Sequence, residues 1–352
     1  MNTGWKKFLE NAGAVFSNDS VEHFGSPERE RVVATTGDVI TDLSHYGLIA
    51  VHGEDAANFM QGQFCNDVRS VDGSHSQING YCSPKGRLLS LFRIFRIEDT
   101  FYLLMPAELL ESTIKRMKMF VLISKVKLDD AGNTMIRMGL SGPNAEKNLK
   151  DILGKIPENV NEAIHVKGHT VLRIAGPCPR FIIVGDRELI EKTWSALDVH
   201  AAPVGVSPWR LLDVIAGIPE IYTGTIESFV PQMVNMQAID GLSFKKGCYT
   251  GQEIVARMQY LGTLKRRMYR AHIRTDKPVK PGDNLYAEGD TSGQGTGKIV
   301  SACSSPNDGY DVLAVIQISI AESGIVHLDD QNGPVLELQE LPYTIENLDK
   351  KK

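Results

Sequence analysis

Residues 229–253 read FVPQMVNMQAIDGLSFKKGCYTGQE, and the last eight, Lys246 to Glu253, hold the densest chemistry in the chain. Gly247 and Gly251 bracket Cys248 and Tyr249, and glycine permits backbone paths and close ligand approach that other residues resist. Gln252 and Glu253 lead into a predicted short helix over Ile254–Tyr260. A thiol just before a helix N-terminus, with Lys245, Lys246 and Arg257 near in sequence, has its thiolate favoured by positive potential. In the competing reading, Cys248 packs as a small hydrophobe and the glycines serve an ordinary turn. On this segment alone the two readings balance.

Outward from that block, residues 209–264 show little periodicity and many Gly, Pro and Gln residues, yet too many aromatic and apolar side chains for disorder. The region reads as ordered and functional. Upstream, a run over Met135–Leu140 ends at Ser-Gly-Pro. A helix over Ala145–Leu153, strands over Thr170–Ala175 and Arg180–Val184, and a helix over Arg187–Leu197 follow. This alternation predicts a small α+β layer of the ferredoxin-like kind, closed by a boundary at Pro203–Pro208. Earlier still, the pattern predicts a strand at Leu48–Val51 and a short helix at Glu54–Met60 ending at Gly62. A hairpin of Leu88–Ile97 and Thr100–Met105 turns at Glu98-Asp99. Leu110, Ile114, Met117 and Val121 then form one face of a helix. The start reads as a helix around Trp5–Val15 and a polar stretch, Ser17–Glu30.

Downstream, the β-rich runs Met268–Ile273, Gly297–Ala302, Tyr310–Ile318 and Val335–Leu338 are separated by Pro281-Gly282-Asp283, Glu288-Gly289-Asp290 and Asn307-Asp308-Gly309. This spacing predicts a small antiparallel barrel or sandwich, with a frayed tail at Asp349–Lys352.

A chain of 352 residues holds two or three domains. Its 42% hydrophobic and 23% charged composition is that of a soluble globular protein. A net charge of −5 argues against bulk nucleic acid, and so against direct DNA binding. The opening MNTGWKKFLENAGAVF has only broken apolar stretches, carries Glu10 and lacks Arg, so neither a secretory signal nor a transit peptide is expected. No run approaches the ~20 apolar residues of a membrane span, which leaves the cytoplasm as the expectation. Five cysteines without a C-x-x-C pair, and nine histidines none of which stands at ligand spacing, predict neither a disulfide framework nor a metal site.

Three further segments could carry chemistry. In Tyr81-Cys82-Ser83-Pro84-Lys85-Gly86-Arg87, a tight turn presents Lys85 and Arg87, which can hold an anionic group or stand solvated on an ordinary hairpin. In Phe59–Asp67, the amides of Gln61, Gln63 and Asn66 can read a heterocycle edge; the plainer alternative is a helix end with Gly62 just past it. Trp209, in Ser207-Pro208-Trp209-Arg210, can stack on an aromatic ligand or serve the core. Lys245-Lys246 and Lys265-Arg266-Arg267 could meet a polyanionic tail or form a solvated face.

Taken in order, FMQGQ near 60, SPKGR, the 229–253 block and the closing LPY resemble the YgfZ family, a branch of the folate-binding superfamily that includes the glycine-cleavage T-protein. The resemblance runs from roughly Asp38 to Tyr343 and is most specific at KGCYTGQE. It implies an α+β protein with three domains in a ring around a folate channel. The boundaries expected are an extension over 1–35, a folate-binding domain over 36–134 plus 206–264, a ferredoxin-like domain over 135–205, a β-barrel over 265–345 and a tail over 346–352. It implies tetrahydrofolate, or a one-carbon derivative, as cofactor. Iron–sulfur enzymes or their assembly factors, including those that modify tRNA, are the implied partners.

Cys248 matches the family's signature thiol, and Tyr46 and Trp209 match its folate-stacking aromatics. Gln61, Asn66, Lys85, Arg87, Lys246, Tyr249, Gln252, Glu253 and Arg257 complete the expected binding set. Three departures stand out. Where T-proteins carry an acidic pair, this chain has Ser90-Leu91, so an aminomethyl or other one-carbon transferase would lack its acid. Where many relatives place a Glu that holds the pterin, it has Ile215, which keeps open a scaffold that has lost folate. Asp213 would lie about 200° away around a helix. At position 46 a Tyr replaces a common Trp, keeping a stacking face and adding a hydroxyl.

Overall fold

Phe181, Ile182, Ile183 and Val184 alternate between two hydrophobic clusters, and that alternation organises the first of two compact units in the chain. The structure is a computed structural model, and it describes residues 1–287 and 295–345. The first unit comprises Met1–Phe59, Arg69–Gln77 and Phe92–Leu212; the second comprises Met60–Val68, Ile78–Leu91 and Asp213–Lys352. The turn at Glu288-Gly289-Asp290 and the tail at Asp349–Lys352 lie outside the described residues.

In the first unit, six described strands run in the order Ala163–Val166, His169–Ile174, Arg180–Gly185, Ile136–Ser141, Val39–Asp42, Ala202–Val204. Successive side chains of a strand point to opposite faces. Phe181 and Ile183 therefore meet Leu149, Ile190 and Trp194 from the helices Ala145–Leu153 and Arg187–Leu197, while Ile182 and Val184 meet Trp209 and Leu212. Both faces are covered, which is why these strands read as continuous apolar runs.

Without its extra strands the sheet has the ferredoxin-like order. Val39–Asp42, from far upstream, is inserted between Ile136–Ser141 (antiparallel) and Ala202–Val204 (parallel), and Ala163–Val166 adds an outer strand. A second sheet has the order Gln77–Cys82, Leu88–Ile97, Thr100–Pro106, Tyr46–His52, Lys127–Asp130. The expected hairpin turns at Glu98, whose φ is 50°.

The stretch 17–30 is not simply polar loop. Val15–Ser17 and Ser20–His23 form a hairpin through Asn18 and Asp19, both at positive φ, and Pro27–Thr36 is a helix. Asn and Asp tolerate the left-handed conformation that tight hairpins need. The buried Glu30 accepts hydrogen bonds from the backbone N–H groups of Phe24, Ser26 and Gly205, so its charge serves the fold. Trp5 and Leu9 of the helix Thr3–Asn11 are core residues, and Trp5 Nε1 donates to Asp42 Oδ1 at 2.7 Å.

In the second unit, six described strands form an antiparallel sheet in the order Val326–Leu328, Asn284–Ala287, Gly297–Ser304, Tyr310–Gln317, Arg266–Ile273, Leu336–Gln339. An isolated bridge between His327 and Val335 draws its two ends together, curling it as a half-barrel around Ala271, Ile273, Val312, Ala314 and Ile316. The strands Asn284–Ala287 and Val326–Leu328 were not legible in the pattern.

Residues 223–239 form short 3-10 turns, and side chains supply what regular structure would. Arg87 Nη1 donates to the carbonyls of Glu227 and Ser228, Asn235 Nδ2 to that of Met268, and Gln232 Nε2 to that of Val255. Two expected boundaries shift. The helix expected to end at Gly62 runs Ala56–Gln63, with Gly62 inside it. The break expected at Pro203–Pro208 instead contains the start of Val206–Ile215, because a proline is tolerated in the first turn of a helix.

Candidate functional site

The segment from Lys246 to Glu253 is fixed on both sides of its cysteine. Lys246 is buried, and its Nζ donates to the backbone carbonyls of Gln61 (2.9 Å), Asn66 (3.0 Å) and Phe64. These carbonyls lie at and just past the C-terminus of Ala56–Gln63, where the helix dipole favours a cation. Tyr249 is also buried, with the Lys246 ammonium 5.1 Å from its ring centroid, and burial pushes its phenol above the usual range. Gly251 has φ +83°, and a Cβ there would stand 2.4 Å from Ser83 O and 2.9 Å from Gly86 Cα. The loop therefore lies directly on the Ser83–Arg87 turn. Gly251 caps the helix Gln252–Tyr260, which starts two residues earlier than expected. Between these anchors Cys248 is exposed, so packing as a small hydrophobe does not describe it.

Several residues expected to bind a ligand are instead engaged by the fold. Gln61 Nε2 donates to Asp67 Oδ1 at 2.9 Å, and its Oε1 accepts from Val68 N. Asn66 Nδ2 donates to the carbonyls of Ile78 and Asp240, and its Oδ1 accepts from Asp67 N. Arg87 clamps the 227–228 backbone, whereas Lys85 is exposed on the turn. Glu253 and Arg257 are exposed, and Gln252 is half-buried.

Sequence reading passed over other polar groups in the same unit. The Gln237 amide has Nε2 and Oε1 both buried and neither hydrogen-bonded; Gln63 Oε1, Ser83 Oγ and Ser90 Oγ are likewise buried without a partner. Buried polar atoms normally find partners, so such a group marks a place where a ligand or water would bond. Gln237 lies in the 229–253 block; its sequence carried no signal that its neighbours would leave it unpaired.

Tyr46 and Trp209 belong to the first unit. Trp209 is only 1% exposed, with the Arg180 guanidinium 3.8 Å from its ring centroid and its edge against Gly139, where a Cβ would stand 2.5 Å away. Tyr46 packs at 4.2 Å on the ring of His45 and shares a core cluster with Trp209. In this structure both rings serve as core, and neither offers an open stacking face. Beside them, burial and the cations Arg210, Arg137 and Arg180 hold the His45 imidazole well below its usual pKa. Among the described residues, no group of three or more His, Cys, Asp or Glu side chains is placed to hold a metal ion, and no helix is long and apolar enough to cross a membrane.

Residues 11–178 match the family model described as the GCVT N-terminal domain. The tRNA-modifying protein YgfZ of Colwellia psychrerythraea is 31% identical over 306 residues, which is 87% of this chain and 93% of that protein. The chain belongs to the YgfZ family. The YgfZ of Sodalis glossinidius is 29% identical over 306 residues, with the same coverage. The YgfZ of Yersinia pseudotuberculosis is 28% identical over 315 residues, covering 89% and 95%. Among solved structures, the glycine cleavage system aminomethyltransferase T from Bartonella henselae superposes with a TM-score of 0.75 at 18% identity, over 99% of this chain and 98% of that one. That likeness shows the fold.

Against this YgfZ background, the departures take physical form. Ser90 and Leu91 are buried in the strand Leu88–Ile97, so neither position supplies a carboxylate. Ile215 closes the helix Val206–Ile215. The carboxylates nearest to it in sequence, Asp213 and Glu220, are buried, and Glu220 Oε2 accepts a short hydrogen bond from Tyr222 Oη.

Proposed function

We propose that this protein works in tRNA modification as a tetrahydrofolate-binding accessory to iron–sulfur enzymes, with Cys248 as its reactive thiol. The observation that carries the reading is the presentation of Cys248: an exposed thiol between two buried anchors, Lys246 and Tyr249. Anchors of this kind hold a nucleophile in one place without covering it. Membership of a family whose curated members are named for tRNA modification supplies the substrate class. The net charge of −5 favours work beside the modifying enzymes over grip on the RNA itself.

The folate part is supported by the polar groups of the second unit. A buried amide with a free donor and a free acceptor at Gln237, together with the unpartnered hydroxyls of Ser83 and Ser90, suits a pterin edge. The core packing of Tyr46 and Trp209 does not fit a stacking role in this conformation. Tetrahydrofolate, when bound, supplies a carrier for one-carbon units. The absence of a carboxylate at 90 and 91 favours an accessory role over one-carbon transfer by this chain itself.

The test is to replace the chromosomal copy in its host by Cys248→Ser and quantify methylthiolated nucleosides in digested tRNA by mass spectrometry. We expect these nucleosides to fall several-fold at unchanged protein level; wild-type amounts would end the thiol role.

A further inference from the structure

Residues 119–123 read MFVLI, five apolar residues in a row at the end of the helix Leu110–Val121, and the fold leaves most of them in water. Met119 is 59% exposed, Phe120 41%, Leu122 84% and Ile123 99%. The helix does have an inward face: Thr113 and Met117 are buried, and Ile114 and Val121 are half-buried. The four exposed side chains lie off that face, at its tip. Single exposed apolar residues are ordinary, but a contiguous group marks a surface that meets something.

The backbone of the tip gives a second sign. Ser124 N donates to Val121 O at 2.8 Å and closes a tight turn. Leu122, the first central residue of that turn, has φ +44° and ψ −109°. Those angles belong to a type II′ turn, whose first central position ordinarily takes glycine. A bulky side chain there is strained. Leu122 therefore stands where conformation asks for glycine and where packing gives almost nothing in return. The turn is also held at its base. Lys125 N donates to Asp55 Oδ2 at 2.8 Å, Lys125 Nζ donates to Glu54 Oε2 at 2.6 Å, and a Cβ at Gly53 would stand 2.1 Å from Lys125 O.

Charge around the tip is predominantly positive. The helix carries its acid, Glu111, in the first turn and Lys118 in the last, ends that lie about 18 Å apart in a helix of this length. Lys115, Lys118 and Lys127 are exposed, and none makes an ion pair among the described residues. The neighbouring carboxylates are engaged. Glu54 and Asp55 hold Lys125, Asp129 stands 3.0 Å from His52 Nε2, and Asp130 accepts from Gly132 N.

We infer that the tip at Met119–Ile123 docks this protein reversibly on an anionic lipid bilayer. Leu122 and Ile123 enter the boundary between headgroups and acyl chains, and Lys115 and Lys118 face the lipid phosphates. A specific protein interface takes about 20–30 residues from each side, far more than four side chains on a narrow turn. A bilayer surface asks for neither area nor matching shape, only apolar groups at shallow depth with cations behind them. One such tip gives weak, salt-sensitive attachment and needs no membrane-crossing helix. The inference is independent of the roles proposed for Cys248 and folate.

To test it, full-length protein is floated through a density gradient with vesicles of phosphatidylcholine alone, or of three parts phosphatidylcholine to one part phosphatidylglycerol. The wild type is expected to rise with the anionic vesicles, to be released by salt, and to stay down with phosphatidylcholine alone. Ile123→Ser should cut the bound fraction several-fold, and so should Lys115→Glu combined with Lys118→Glu. Leu122→Gly is the sharpest variant. It should cut binding as Ile123→Ser does while the thermal midpoint holds or rises, because glycine relieves the turn. Wild type that fails to float, or Leu122→Gly and Ile123→Ser that float as well as wild type, would overturn the inference. Absent flotation together with lost tRNA modification in a host carrying Ile123→Ser would overturn it too, and would assign the tip to a protein partner.

Discussion

Lys246 Nζ stands 2.9 Å from the carbonyl oxygen of Gln61, a residue 185 positions earlier in the chain. Their contact makes the most charged-looking part of the signature segment a helix cap. Replacing Lys246 by Met keeps the apolar stem and leaves the carbonyls of Gln61, Phe64 and Asn66 without their donor. Buried unsatisfied acceptors cost about 1–3 kcal/mol, so urea unfolding of Lys246→Met should show a loss in that range. Lys246→Arg should recover part of it, because a planar fork fits converging carbonyls less well than an ammonium. Cys248→Ser, at an exposed site, should stay within about 0.5 kcal/mol of wild type.

Gly251 tests whether the loop rests on the Ser83–Arg87 turn. Alanine there meets a left-handed backbone, worth about 1–2 kcal/mol, and a Cβ 2.4 Å from Ser83 O. Gly251→Ala should lower the thermal midpoint, whereas Gly247→Ala, with nothing within 4 Å of its Cβ position, should not. Equal midpoints for the two variants would contradict the packing.

His45 makes stability depend on pH. Its folded pKa lies well below the 6.5 of an unfolded histidine, through burial and three nearby arginines. Below pH 6.5 the unfolded chain takes up a proton that the folded one refuses, so this contribution is intact above that pH and is lost as the pH falls. The slope is up to about 1.4 kcal/mol per pH unit. Denaturation between pH 7.5 and 5.5 should show wild type weakening with acid more steeply than His45→Gln.

Gln237 separates ligand from fold. Leucine removes two buried polar atoms that have no protein partner, so stability should hold or rise. If a pterin edge bonds to that amide, calorimetric affinity for tetrahydrofolate should drop at least about tenfold, equivalent to about 1.4 kcal/mol. Unchanged affinity would remove Gln237 from the binding site.

Local patterns were legible where local forces decide. The helices Ala145–Leu153 and Arg187–Leu197 and the strand Leu88–Ile97 match the residues read from periodicity, because each has an apolar rhythm and a clear stop. The segment around Cys248 stood out through its own composition. What escaped depends on distant partners. Nothing near Lys246 tells that three carbonyls from residues 61–66 await it, and nothing near Gln61 tells that its amide is held by Asp67 and Val68. Trp209 read equally well as a stacking platform or as core, and Arg180 on its face decides for core. The N-terminal stretch looked polar because the backbone donors that Glu30 satisfies are invisible in sequence.

The inserted strand Val39–Asp42 has a consequence during synthesis. Its antiparallel neighbour begins at Ile136 and its parallel one at Ala202, so it emerges about a hundred residues before it can pair. At ~5–20 residues per second that delay is roughly 5–20 s. Throughout it, Val39 and Ile40, fully enclosed in the finished protein, stay wet and unpaired on a growing chain. Newly made copies are thus most open to mispairing and chaperone capture in that interval, and slowing translation between codons 43 and 135 would lengthen it.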